Sequence, residues 1–70
     1  MSKQRTEVII KLLTDIGITG ETEQNLAMNL IPLWQQLTPE KRYSIANMIQ
    51  GDFDTDKFLI LMEELSKDQI

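Results

Sequence analysis

The sequence predicts an all-α domain, and three observations carry that prediction. Apolar residues recur at helical spacing, helix-start residues stand ahead of each apolar run, and glycine or proline falls where a run should stop. No alternating apolar and polar stretch offers a competing strand. The expected architecture is a compact bundle of four short helices, the second kinked or broken at Pro32, forming a single helical domain over residues 1–70.

Ser2 is the expected cap of the first helix, in which Ile9, Leu12, Leu13 and Ile16 keep the i, i+3, i+4, i+7 spacing up to a stop at Gly17. Ile18-Thr19-Gly20 then makes a short turn. Glu21, Thr22 and Glu23 bring caps and negative charge to the start of the second helix, where both are favoured by the helix dipole. Its expected apolar stripe is Leu26, Leu30, Leu33, Trp34 and Leu37. Pro32 interrupts this segment. It has no backbone N–H to donate and its ring collides with the carbonyl of Met28, at a cost of ~3 kcal/mol in a regular interior, so the helix either kinks or restarts as a short second piece.

Thr38-Pro39-Glu40 supplies an N-cap, a proline at the first helical position and an acid in the first turn, so a third helix starts there. Ile45, Ala46 and Ile49 form its buried side, and Gly51 is the residue best able to take a left-handed conformation just past its end. Asp54 or Thr55 caps the fourth helix. Phe53, just before the Asp54 cap, and Phe58, four residues after it, are placed for a hydrophobic staple. Phe58, Leu61, Met62 and Leu65 fall on one face, but the run Phe58-Leu59-Ile60-Leu61-Met62 is apolar all round. A core this small cannot hide all of it. Leu59 or Ile60 is therefore expected to stay partly exposed, and Leu59, Ile60 and Glu63 are the residues expected to meet a partner. Trp34 reads as a core anchor, Met28, Met48 and Met62 as gap-fillers, and Tyr43 as solvent-facing.

Composition bounds the chemistry. Seventy residues without cysteine or histidine cannot build disulfide staples or the usual zinc sites, and catalysis by cysteine or a histidine base is excluded as well. No enzymatic activity, cofactor or small-molecule substrate is expected. An apolar fraction of 41% with 26% charged residues is that of a folding chain. At this size one core supplies only ~3–5 kcal/mol of net stability, so help is expected from self-association, a protein partner or the rest of a longer chain.

The net charge of −4 is uneven: Lys3, Arg5 and Lys11 stand against Glu7 near the start, whereas residues 52–70 hold six acids against Lys57 and Lys67. That acidic end argues against nucleic acid, since a phosphate surface needs clustered cations and Lys41-Arg42 is the sole adjacent basic pair. No apolar run approaches the ~20 residues of a membrane span, and the first residues do not resemble a secretory signal, so cytoplasmic synthesis is the default.

Two constellations call for weighing. Asp52, Asp54, Asp56 and Glu63 occupy positions 1, 3, 5 and 12 of a calcium loop, but Lys57 stands where the sharp turn needs glycine. A helix through residues 58–63 also carries Glu63 away from the aspartates, so capping and a solvated loop are the preferred reading and no metal site is expected. A helix-turn-helix can also be drawn through Ile45-Ala46-Asn47-Met48-Ile49, Gly51 and the fourth helix. Its reading helix would offer Asp56, Glu63 and Glu64 to DNA, the wrong sign for the major groove.

Taken as a unit, Leu30, Leu33 and Trp34-Gln35-Gln36-Leu37, then Thr38 through Arg42, Ile45-Ala46-Asn47-Met48-Ile49, Gly51 and Phe58-Leu59-Ile60-Leu61-Met62 resemble a helical segment of the tail tape-measure proteins of long-tailed bacteriophages and prophages. Leu12-Leu13-Thr14-Asp15-Ile16-Gly17-Ile18 resembles the lead-in to that segment, so the similarity spans roughly residues 8–65. The resemblance implies a structural role: scaffolding tail-tube assembly by contacts with tube subunits and assembly chaperones, with the virion tail as destination. A fully helical chain of this length would reach only about 105 Å, so it is expected to be a segment of a ruler or a small relative of one. The alternative function is a small phage or mobile-element regulatory protein, either a degenerate helix-turn-helix or an inhibitor that sequesters another protein.

Overall fold

The computed structural model describes residues 3–49 and 51–67, and these form an all-α bundle with no strand among them. Helix α1 runs Lys3–Asp15, α2 Glu21–Leu30, α3 Pro39–Met48 and α4 Thr55–Lys67, with a 3₁₀ helix, Ile31–Gln36, between α2 and α3. The cap expected at Ser2 lies outside the described residues.

Each boundary has a local cause. Helix α1 ends in a Schellman motif: Gly17 N–H donates to the Thr14 carbonyl at 3.0 Å and Ile18 N–H to the Leu13 carbonyl at 2.9 Å. Gly17 has φ +103°, and a Cβ there would stand 3.0 Å from the Asp52 carbonyl oxygen, so the turn is both left-handed and pressed against the loop before α4. Ile18, next along, is buried against Leu13 and its neighbours. Gln24 locks this corner from α2, donating through Nε2 to the Ile18 carbonyl at 3.1 Å and the Thr14 hydroxyl at 3.2 Å.

The caps expected of Glu21, Thr22 and Glu23 take another form. The N-cap of α2 is Gly20, without a side-chain bond, while Glu21 and Glu23 place charge in the first turn. At Pro32 the structure shows a change of hydrogen-bonding pattern: α2 stops at Leu30 and a 3₁₀ helix continues, with Pro32 in its first turn. Thr38 caps α3 as expected, its Oγ1 accepting from Lys41 N–H at 3.2 Å. Helix α3 ends at Met48, earlier than a stop at Gly51 implies. Ile49 is already extended, with ψ 123°, because its side chain turns into the core, and Gly51 follows with φ +149°. Asp54 caps α4, its Oδ1 accepting from Asp56 N–H at 2.9 Å and Lys57 N–H at 3.4 Å.

The core is one cluster: Ile9 and Leu13 from α1, Ile18, Ala27 from α2, Ile31 and Trp34 from the 3₁₀ helix, Ala46 and Ile49, and Phe58, Met62 and Leu65 from α4. Leu12, Ile16, Leu37, Ile45 and Leu61 pack at its edge. Three residues expected inside are exposed. Leu26 and Leu33 face solvent, because their places are taken by Ala27, Ile31 and Trp34. Met48 is 76% exposed and fills no gap, since α3 buries only its Ala46 side at that end. Helix α4 packs chiefly on the 3₁₀ helix and next on α3. The resulting radius of gyration, 11.1 Å, matches the ~11 Å of a close-packed chain of this length.

Gly17→Ala should destabilise the fold by about 1–2 kcal/mol, because the new Cβ meets both a left-handed backbone and a carbonyl oxygen. Thr38→Ala should cost about 1 kcal/mol through the lost cap. In a domain of this size each corresponds to a drop in Tm of roughly 4–8 °C per kcal/mol, and unchanged melting in Gly17→Ala would contradict the packing of α1 on the α4 loop.

Candidate partner-binding groove

Helix α3 begins at a proline, so the register of its first turns is fixed, and Pro39, Arg42 and Tyr43 fall at i, i+3 and i+4 on one face. Helix α4 turns Phe58, Met62 and Leu65 inward, which leaves Leu59 on the flank and Ile60 outward at 63% exposure. Between these two helix faces lies an open groove of about 380 Å³, floored by Trp34 and flanked by Pro39, Arg42 and Tyr43 on one side and Leu59, Ile60, Glu63 and Glu64 on the other. Leu59, Ile60 and Glu63 are the three residues singled out in the sequence, and all three lie here.

Arg42 fixes the geometry. Its Nε donates to the Trp34 carbonyl at 3.1 Å, its Nη1 donates to Glu63 Oε2 at 2.9 Å, and its guanidinium lies 5.7 Å from the centre of the Trp34 ring, within cation–π range. One side chain of α3 therefore holds both the 3₁₀ helix and α4. Glu63 also faces Lys67 one turn along, at 3.8 Å. Below it Ser66 is buried, donating to the Glu63 carbonyl at 3.0 Å and accepting from Gln35 Nε2 at 2.6 Å. From beneath, the Phe58 ring meets Trp34 edge to face, 5.8 Å between centroids at 89°. Phe53 meets Phe58 in turn at 5.7 Å, the staple contact expected from the sequence. Trp34 is wholly buried as a core anchor, and its indole N–H is the donor this packing leaves without an acceptor.

The groove walls are largely carbon, and the polar groups nearest them are mostly engaged. Tyr43 is half exposed, its hydroxyl donating to Asp56 Oδ1 at a long 3.4 Å. Glu64 on the lip has no partner among the described residues. Of the acids with calcium-loop spacing, Asp54 is engaged in capping α4 and Glu63 in holding Arg42. Among the described residues no group of three or more acidic, histidine or cysteine side chains could hold a metal ion.

The chain matches no family profile, no curated protein and no solved structure. Its function must therefore be argued from the groove itself. Such a site suits apolar docking: a concave surface with space for two or three large side chains, a fixed ion pair at its back and one uncommitted carboxylate on its edge. No helix among the described residues is long and apolar enough to cross a membrane.

Sequence reasoning found the α4 wall and missed the α3 wall. Pro39, Arg42 and Tyr43 carry a signal that could have shown it, since their i, i+3, i+4 spacing sets them side by side on one face of the helix. The position of Trp34 beneath them depends on the 3₁₀ turn and has no local signature.

Removing Arg42 should cost more than removing its ion-pair partner. Arg42→Ala is expected to destabilise by about 1.5–3 kcal/mol, because it also releases the Trp34 carbonyl and uncovers the ring. The coupling between Arg42 and Glu63 in a double-mutant cycle should be only about 0.5–1 kcal/mol, as for a pair partly open to water. Equal costs for Arg42→Ala and Glu63→Ala in urea melts would contradict the bridging role. Trp34→Ala should cost about 3–5 kcal/mol and unfold much of the population. Trp34→Phe should cost far less, because it keeps most of the ring volume and removes the orphaned N–H.

Proposed function

We propose that this chain is a non-enzymatic helical module that acts by binding another protein in the groove between α3 and α4. The observation that carries the reading is Ile60. It is a large aliphatic side chain held 63% exposed at the lip of an apolar groove, flanked by the half-buried Leu59 and an ordered Arg42–Glu63 pair. Fully burying a residue of this kind is worth roughly 1.5–3 kcal/mol, so two such anchors with the groove walls suffice for a specific contact. The tape-measure resemblance supplies the biological setting: a structural contact with tail-tube subunits or assembly chaperones during tail assembly.

The exposed charges of α4 support a protein over DNA. Asp56, Lys57, Glu64 and Lys67 alternate in sign, whereas a recognition helix needs cations gathered on one face. This weighs against the helix-turn-helix alternative and leaves the choice between a structural and a sequestering role to the identity of the partner.

The test is co-purification with tail-tube subunits and tail-assembly chaperones. Parent protein should retain one of them, and Ile60→Lys should lose it while melting within about 0.5 kcal/mol of parent, as for an exposed substitution. If Ile60→Lys unfolds the chain, or binds its partner as the parent does, the groove is not the working surface.

A further inference from the structure

We infer that this chain has a second binding surface, apart from the groove: an uncharged ridge along α2 and the 3₁₀ helix on which two copies pair antiparallel. The position of the ridge follows from the core. Ala27, Ile31 and Trp34 all point inward, so the residues one step before them, Leu26, Leu30 and Leu33, are each turned away by about 100–120° and fall in a parallel row. Gln36 extends that row, because side chains three apart eclipse in a 3₁₀ helix. Leu26 is 43% exposed and Leu33 49%, with Leu30 half-buried between them.

Charge decides the occupant. Residues 24–39 hold no charged side chain, the longest such stretch in a chain where 26% of residues are charged and the net charge is −4. The other helices all expose charges: Glu7 and Lys11 on α1, Glu40 and Lys41 on α3, and Asp56, Lys57, Glu64 and Lys67 on α4. A partner of different sequence is selected largely by complementary charge, and this ridge offers none to select with. A second copy needs none. Leucine meets leucine, and the exposed amides of Asn29 and Gln36 donate as well as accept, so each can bond to an amide of its own kind. The nearest charge in the chain fixes the direction. Glu23 stands one turn before Leu26, so a parallel pair would set the two Glu23 carboxylates together. A two-fold axis at Leu30 instead sets Leu26 of each copy against Leu33 of the other and holds those carboxylates ~20 Å apart, well beyond the ~8 Å screening length of physiological salt.

Sedimentation equilibrium from micromolar to millimolar concentration tests this. The parent should dimerise, and the charge-neutral double change Leu26→Gln with Leu33→Gln should weaken the dimer by at least about tenfold while the dilute chain stays folded, since both residues are exposed. Ile60→Lys should leave the dimer intact, and added salt should not loosen it, because no ion pair holds it. The chain has no cysteine of its own, so under a mild thiol oxidant Asn29→Cys should cross-link two copies and Glu23→Cys should not. A parent that stays monomeric at millimolar concentration overturns the inference. So does a dimer that survives the double change, one loosened by salt, or cross-linking at Glu23→Cys in place of Asn29→Cys. A dimer dissociated by Ile60→Lys also overturns it and seats the second copy in the groove instead; the other outcomes leave the groove reading untouched.

Discussion

The seating of α3 and α4 on the bundle, and the groove between them, depends on how Trp34 is enclosed. The indole ring is closed by the edge of Phe58 from α4 and covered by the guanidinium of Arg42 from α3, while the carbonyl of the same residue accepts from Arg42 Nε. Backbone and side chain of one residue are thereby fixed by two different helices. A 70-residue chain has little core to spare, and concentrating its two largest fully buried side chains, Trp34 and Phe58, in one contact gives α3 and α4 a common seat. The second consequence lies at the surface. With Phe58 and Met62 committed inward, helical geometry forces Ile60 outward, and the covering Arg42 sets the back wall of the groove beside it.

The short 3₁₀ helix makes that enclosure possible. In an α-helix, side chains three apart are offset by about a sixth of a turn, whereas in a 3₁₀ helix they eclipse. Ile31 and Trp34 therefore point the same way, directly into the bundle, in line with Ala27 one α-turn earlier. Pro32 is accommodated in the first turn of this segment, where its missing N–H removes no interior bond.

This change of period explains which parts of the fold were legible. Boundaries with local chemistry could be read directly: Gly17 for its positive φ, Thr38 and Asp54 for their capping oxygens, Phe53 and Phe58 for their spacing across a cap. The stripe through Leu26 and Leu33 was misread because it extends a 3.6-residue repeat across a segment that turns every three. Large aliphatics were also preferred to Ala27, although close packing of helices favours a small residue there. Met48 failed for a related reason, since Ile49 leaves the helix early to reach the core and the last turn of α3 is left outside. The groove was half legible: surplus apolar residues in α4 marked one wall, whereas the opposite wall depends on how α3 crosses α4 through Arg42, a contact 21 residues apart in sequence.

The central claim is that the enclosure of Trp34 turns one side of α4 inward and leaves Ile60 at an open groove. Solvent paramagnetic relaxation of side-chain signals, measured on the monomeric chain at low concentration with a soluble relaxation agent, tests it most directly. The account predicts strong broadening of the Ile60 methyl and Tyr43 ring signals, with Trp34, Phe58 and Met62 protected. Protection of Ile60 equal to that of Met62, or broadening of the Trp34 indole, would contradict it.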